Sequence, residues 1–241
     1  MCETFRGESL KRIWAYRPLP ATDLHTHSEF SRCSVDTSVQ GNIATAELRG
    51  LRAIAITDHS SHVKKTGFRR YVEAVRTAAY RADITVLTGL EVDIRPNGEP
   101  ELGRSLLKKL DIVIGSLHKL PRRGVSLDDY RKTVLTALRK SWMDILAHPT
   151  YVNGREVHLP DYIIQEICDV AYENSIAVEL NSHHKSPSDD FIRACVDRGV
   201  KLTPTSDAHR LRQIGVFDWH LEKLRKLDLL DKAVWLRIED L

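Results

Sequence analysis

The octapeptide AIAITDHS, Ala53–Ser60, runs through four small or aliphatic residues and then turns abruptly to Thr-Asp-His. An apolar run this short, without polar alternation, reads as a strand buried on both faces, which is the situation of strands in a parallel sheet. The ionisable pair Asp58 and His59 directly after it falls at the strand's C-terminal mouth, where parallel barrels build their active sites.

The same arrangement recurs along the chain. Strands are predicted at Thr22–Leu24, Ala53–Ile56, Val86–Leu90, Ile112–Gly115, Asp144–Ala147, Ala177–Leu180 and Lys201–Pro204. Between them lie amphipathic patterns that predict helices near Gly41–Leu48, Phe68–Ala82, Leu102–Leu110, Leu127–Lys140, Asp161–Asn174 and Ser188–Arg198, with a last one near Leu221–Leu227. Ser126 and Ser188 are placed to begin two helices, and Gly50 and Gly199 to end two. Asn97-Gly98 and Asn153-Gly154 mark tight turns. Strands alternating with helices predict an α/β fold of repeated βα units around a parallel sheet, in a single domain spanning 1–241.

The functional signal lies directly after each strand. His25 and His27 come after the first, Asp58 and His59 after the second, Glu91 after the third and His118 after the fourth. His148 comes after the fifth, Asn181 after the sixth, and Asp207 and His209 after the seventh. Side chains of this type at equivalent positions converge on one site. His62, His158 and His220 stand singly and are expected to be surface or core residues. Six histidines with Glu91 and Asp207 exceed the roughly four to six ligands that one ion uses, so at least two metals are implied. A carboxylate such as Glu91 can bridge two ions, and the imidazole and carboxylate donors fit zinc, manganese or iron.

Composition excludes several other classes. The 241 residues include 36 basic and 33 acidic side chains, a net charge of +3, which is too balanced to signal nucleic-acid binding by charge alone. The first twenty residues carry charges throughout and lack the apolar core of a secretory leader, and no run approaches the ~18 apolar residues of a membrane span. A cytoplasmic location is therefore expected. Cys2, Cys33, Cys168 and Cys195 are widely spaced and suggest neither a disulfide framework nor a zinc ribbon; Cys168 and Cys195 fall in helical patterns as core residues.

The ordered segments DLHTHS, ITDH, GLEVD, GSLH, AHP and SDAH resemble the PHP (polymerase and histidinol phosphatase) family from about Asp23 to His209. AHPTYVNG, VELNSHH and GVKLTPTSDAH look most like the PHP domain attached to bacterial family X DNA polymerases and its stand-alone phosphatase relatives. The resemblance implies a distorted seven-stranded (β/α) barrel with up to three divalent metals and phosphoester hydrolysis. Carried across by motif, it implies one metal on His25, His27, Glu91 and Asp207, and a second on His59, His118 and bridging Glu91. A third would be held by His148 and His209 with a His or Asp shortly after the His-x-His pair. That place falls here at Arg32-Cys33; Arg32 cannot ligate a cation, and Cys33 is either a thiolate ligand that favours zinc or a buried small residue.

Asp58, His184 and Arg210 are the candidate catalytic side chains. His184, or its neighbour His183, could protonate the leaving oxygen. Arg210, with Lys185 and the group Lys119, Arg122 and Arg123, could bind phosphate oxygens. The expected substrate is a phosphorylated small molecule or the 3′ end of a nucleic acid, with Tyr151 as the stacking aromatic the second would need. A monomer or small homo-oligomer is expected. The competing class is a binding module like the ribonuclease P protein subunit that shares this barrel, but such a module has no use for eight intact ligands.

Overall fold

The computed structural model describes residues 14–120 and 126–241. Seven parallel strands form one sheet in the order β1 (Thr22–Asp23), β2 (Ala53–Ile56), β3 (Thr85–Asp93), β4 (Ile112–Ser116), β5 (Ile145–Leu146), β8 (Ala177–Asn181) and β9 (Leu202–Thr205). Outside this sheet, β6 (Tyr151–Val152) and β7 (Arg155–Glu156) form a small antiparallel hairpin turned by Asn153 and Gly154, both at positive φ. Helices α1 (Val39–Leu48), α2 (Ser60–Thr66), α3 (Phe68–Ala79), α4 (Arg104–Leu107), α5 (Leu127–Arg139), α6 (Asp161–Glu173), α7 (Asp189–Arg198) and α8 (Asp218–Lys226) complete the chain. The seven strands and seven helices expected from the sequence are all present, with ends shifted by a few residues. Helix α2 is an addition to that pattern, because SSHVKKT has a single fully buried apolar residue, Val63, and so no readable stripe. Gly67, at φ 106°, separates it from α3.

The sheet curls until its edges meet. Past the ends of β1 and β9, Thr26 bridges Ala208 in parallel, with His27 N donating to Ala208 O at 3.0 Å and Ala208 N to His25 O at 3.4 Å. Along each strand, alternate residues face opposite ways. Leu24, Ala55, Ile112, Ile114, Ile145, Ala147 and Ala177 fill the lumen, and Leu236 from the C-terminal segment packs with them near the start of β9, where it bonds to Leu202. Ile54, Ile56, Leu90, Val113, Leu146, Val178 and Leu202 face outward into the layer beneath the helices. Cys168 on α6 and Cys195 on α7 are fully buried in that layer, their sulfurs 3.5 Å apart as free thiols.

Of the two serines expected to cap helices, Ser126 accepts from Asp129 N at 3.2 Å and caps α5, whereas the Ser188 hydroxyl makes no capping bond to α7. Gly89 on β3 shows how tightly the barrel is drawn, since a Cβ there would lie 2.5 Å from Ile112 Cγ2 and 2.8 Å from Ile112 O. Gly89→Ala is expected to cost about 1–3 kcal/mol through overpacking, measured as a fall in the urea midpoint at unchanged slope. An unchanged midpoint would show that β3 and β4 can move apart.

Candidate metal centre

Each strand end delivers its polar side chain to one buried cluster. Glu91, near the end of β3, lies at the centre. Its Oε1 faces His118 Nε2 at 2.9 Å and His148 Nε2 at 3.1 Å; its Oε2 faces His59 Nδ1 at 2.6 Å, His25 Nε2 at 3.5 Å and His27 Nε2 at 3.7 Å. Asp207 forms a second focus, with Oδ1 3.0 Å from His27 Nε2 and 3.7 Å from both His25 Nε2 and His209 Nδ1. His25, His27, Glu91, His148 and Asp207 are all buried. Asp207 at φ 48° and His148 at φ 26° occupy left-handed backbone, which costs a non-glycine residue about 1–2 kcal/mol and turns these strand-end residues sharply out of the sheet.

The charge distribution calls for cations. Burial opposes ionisation of Glu91, yet His59, His118 and His25 hold its carboxyl well below the usual range; Asp207 is held down likewise against burial, chiefly by His25 and His27. In return, and against their own burial, Glu91 lifts His59 to about 11 and His118 to about 10. His27 is different, lowered by burial to about 3, and so presents a neutral lone pair. Bound divalent ions would meet the same demand for positive charge while leaving the imidazoles neutral. The buried Nε2 of His25 has no hydrogen-bond partner, which an ion would provide. Among the described residues, ligating atoms lie within 4.8 Å of one another in four groups: His25, His27 and Glu91; His27, Asp207 and His209; His59, Glu91 and His118; and His27, Cys33 and His59.

The grouping differs from the expected one in two respects. His148 Nε2 faces Glu91 Oε1 beside His118, with its backbone N bonded to Glu179 on β8. The Cys33 thiol lies within hydrogen-bond reach of His209 and His59. His59 therefore stands between Glu91 and Cys33.

The three catalytic candidates separate. Asp58 is fully buried and engaged elsewhere: its Oδ1 accepts from Ser28 N at 2.8 Å and its Oδ2 from Ser28 Oγ at 2.5 Å, so it pins the loop after β1. Arg210 is exposed at the head of a 3-10 turn, Leu211–Gln213. His184 alone approaches the cluster, its Nε2 3.4 Å from Asp207 Oδ2 and its ring stacked on Tyr151 at 4.0 Å. Burial lowers it to about 4. His183 is exposed with its ring 4.8 Å from His209; Lys119 and Lys185 are exposed, and Arg122 and Arg123 lie outside the described residues. His220 is a buried core residue bonded to Leu180 O, and His158 is exposed; His62 packs edge-on against His59.

Sequence reasoning passes over a second tier of carboxylates. Glu179, fully buried on β8, takes His25 Nδ1 at 2.6 Å, Thr205 Oγ1 at 2.6 Å, His148 N at 2.8 Å and Asn181 Nδ2 at 3.0 Å. Asp93 takes His118 Nδ1 at 2.5 Å. Carboxylates placed behind imidazoles fix the tautomer, leaving Nε2 free to ligate. The readable signal for Glu179 is a lone acid inside the apolar strand AVEL.

The PHP domain profile matches residues 23–183, more than half the chain. The chain belongs to the PHP domain family. Among PHP relatives, a "Probable phosphatase" of Acetivibrio thermocellus is 27% identical over 216 residues, covering 86% of this chain and 87% of that protein. The DNA polymerase/3′-5′ exonuclease PolX of Bacillus subtilis is 29% identical over 202 residues, covering 80% of this chain and 35% of its own length. A Listeria monocytogenes structure assigned as histidinol phosphatase hisK superposes with a TM-score of 0.60 at 14% identity over 80% of this chain and 97% of that one, a likeness of fold. No helix among the described residues is long and apolar enough to cross a membrane.

Proposed function

We propose that this PHP protein is a metal-dependent phosphoesterase that hydrolyses phosphomonoesters with two to three divalent ions held by His25, His27, Cys33, His59, Glu91, His118, His148, Asp207 and His209. The observation that carries the reading is Glu91, a buried carboxylate whose two oxygens face separate histidine groups. The family membership and the phosphatase relatives agree with it. When bound, the ions would acidify a water for attack on phosphorus and neutralise charge building on the phosphoryl oxygens.

The chain's own residues supply the rest. Glu91 and Asp207 bring negative charge and ligating oxygens to the floor of the barrel mouth. Glu179 and Asp93 keep His25 and His118 in one tautomer. Among the described residues the cluster needs no serine nucleophile, and Asp58 serves as a loop anchor. His184, half-buried between Tyr151 and Asp207, is the side chain placed to exchange a proton with a leaving oxygen. The likeness to PolX supports a second reading, hydrolysis at a nucleic-acid 3′ end, for which the Tyr151 and His184 pair at the rim offers an aromatic surface.

Elemental analysis of protein purified without chelator should find two to three equivalents of zinc, manganese or iron. Chelation should abolish hydrolysis of a chromogenic phosphomonoester, and returning zinc or manganese should restore it. No bound metal, and none taken up on addition, would refute the reading and favour a binding module.

A further inference from the structure

Charge is nearly balanced over the whole chain but not over every face of it. Helix α3 buries Tyr71 and Val75 against the barrel and turns Arg69, Glu73, Arg76 and Tyr80 outward, at spacings of three and four residues that align them in one stripe. Between this stripe and the turn after α4 runs a groove of about 930 Å³. Four exposed cations line it, Arg69, Arg76, Arg81 and Lys109, against the single carboxylate of Glu73. Arg76 is held across the groove, its Nη2 donating to Lys109 O at 2.9 Å while its other N–H groups stay available. The adjoining groove between α1 and α3, about 540 Å³, sets Arg70 and Arg81 against Glu29, Glu47 and Glu73 and so has no excess of positive charge.

The basic groove has an aromatic ring at each end. Phe68 is half-buried, whereas Tyr80 is 92% exposed, its ring open to stack on a planar group. The two rings are separated by about 18 Å along the helix axis. That span is longer than one phosphate group can bridge and suits several phosphates in series. A membrane presents its phosphates as a plane, which fits a flat or convex face better than a recess. Cations along a groove with aromatic rings beside them are the features that retain single-stranded nucleic acid without reading its sequence. The chain leaves the barrel mouth after His59 through α2 and returns along α3 to the start of β3, so Phe68 marks the end of the groove nearer the mouth.

We propose that the α3 groove is a binding surface for single-stranded nucleic acid, with Arg69, Arg76, Arg81 and Lys109 on its phosphates and Tyr80 stacked on a base. This surface lies outside the metal centre and does not depend on it, so a strand should bind the chelated protein as well as the loaded one.

The test is fluorescence anisotropy of a labelled oligothymidylate of roughly a dozen nucleotides with the full-length protein in chelator, which prevents metal-dependent hydrolysis. Wild-type protein should bind it, with affinity falling as salt rises. Replacing Arg69, Arg76 and Arg81 together with alanine should weaken binding by roughly tenfold or more. It should also lower the slope of log affinity against log salt by about 2, since each phosphate contact on a single strand contributes about 0.7. Tyr80→Ala should weaken binding roughly tenfold at unchanged salt slope. Arg225→Ala with Lys226→Ala, two exposed cations on α8, should change neither quantity, which separates this face from general positive charge. Urea midpoints close to wild type in all variants exclude unfolding as the cause. No binding by the wild type, wild-type affinity in the triple variant, or an equal loss in the α8 variant would each overturn the proposal. Capture of phosphatidylserine vesicles that the triple variant abolishes, without binding of the oligonucleotide, would overturn it in favour of a lipid surface. Phosphomonoester hydrolysis is read on the loaded protein, so each of these outcomes leaves the metal-centre reading untouched.

Discussion

Glu91→Gln is expected to lower kcat/KM for phosphomonoester hydrolysis by roughly a thousandfold, since Lewis-acid stabilisation of the transition state is worth several kcal/mol and each 1.4 kcal/mol is a factor of ten. The size follows from position. Five histidines face this one side chain, and its two oxygens point to different sets of them. The amide keeps the shape but removes the negative charge and replaces one acceptor with a donor aimed at imidazole nitrogens. Metal content should fall along with rate, and both should be measured on the same preparation. A variant that kept full metal content and a rate within tenfold of wild type would exclude Glu91 as a shared ligand.

Glu179→Ala is expected to have the largest combined effect on stability and metal binding. Four buried donors converge on this carboxylate, from His25, His148, Asn181 and Thr205. Asn181 Nδ2 keeps Asp207 Oδ2 and Thr205 Oγ1 can turn to Leu180 O, but leaving His25 Nδ1 and His148 N without an acceptor costs about 1–3 kcal/mol for each buried group, so stability should fall by about 3 kcal/mol. Glu179→Gln separates positioning from folding. It can still accept from His25 while losing the charge behind the imidazole, and loss of such a partner typically weakens metal affinity about 10–100-fold. Denaturant unfolding of the chelated proteins and metal titration of the folded ones would distinguish the two contributions. If Glu179→Gln bound metal as tightly as wild type, the residue would be a structural anchor without influence on the centre.

The barrel is legible in the sequence because both its signals are local. AIAI, DIVIG and IAVEL are short apolar runs, and the ionisable or amide residue close behind each is visible without any tertiary information. The positions of the strand-end side chains that meet around Glu91 and Asp207 are legible for the same reason, whereas their partners are not. Which histidine faces which oxygen of Glu91 depends on strand register and on the backbone turns at His148 and Asp207, and neither is written in spacing. Asp58 illustrates the ambiguity: it comes after its strand just as His59 does, but adjacent residues diverge, and it turns to Ser28 while His59 turns to Glu91. Glu179 is hidden because strand patterning counts it as an interruption, although an inward-facing position on β8 brings it directly beneath His25.

The join between the first and last strands has a consequence for how the molecule withstands unfolding. It is made by a few hydrogen bonds between the segment that carries His25 and His27 and the segment that carries Asp207 and His209. An ion gripped from both sides would act as a rivet across the one seam in an otherwise continuous wall, linking parts of the chain about 180 residues apart. Above its dissociation constant, each tenfold rise in free ion would then add about 1.4 kcal/mol to the folded state. The same side chains would thus make the barrel's durability depend on the metal supply around it.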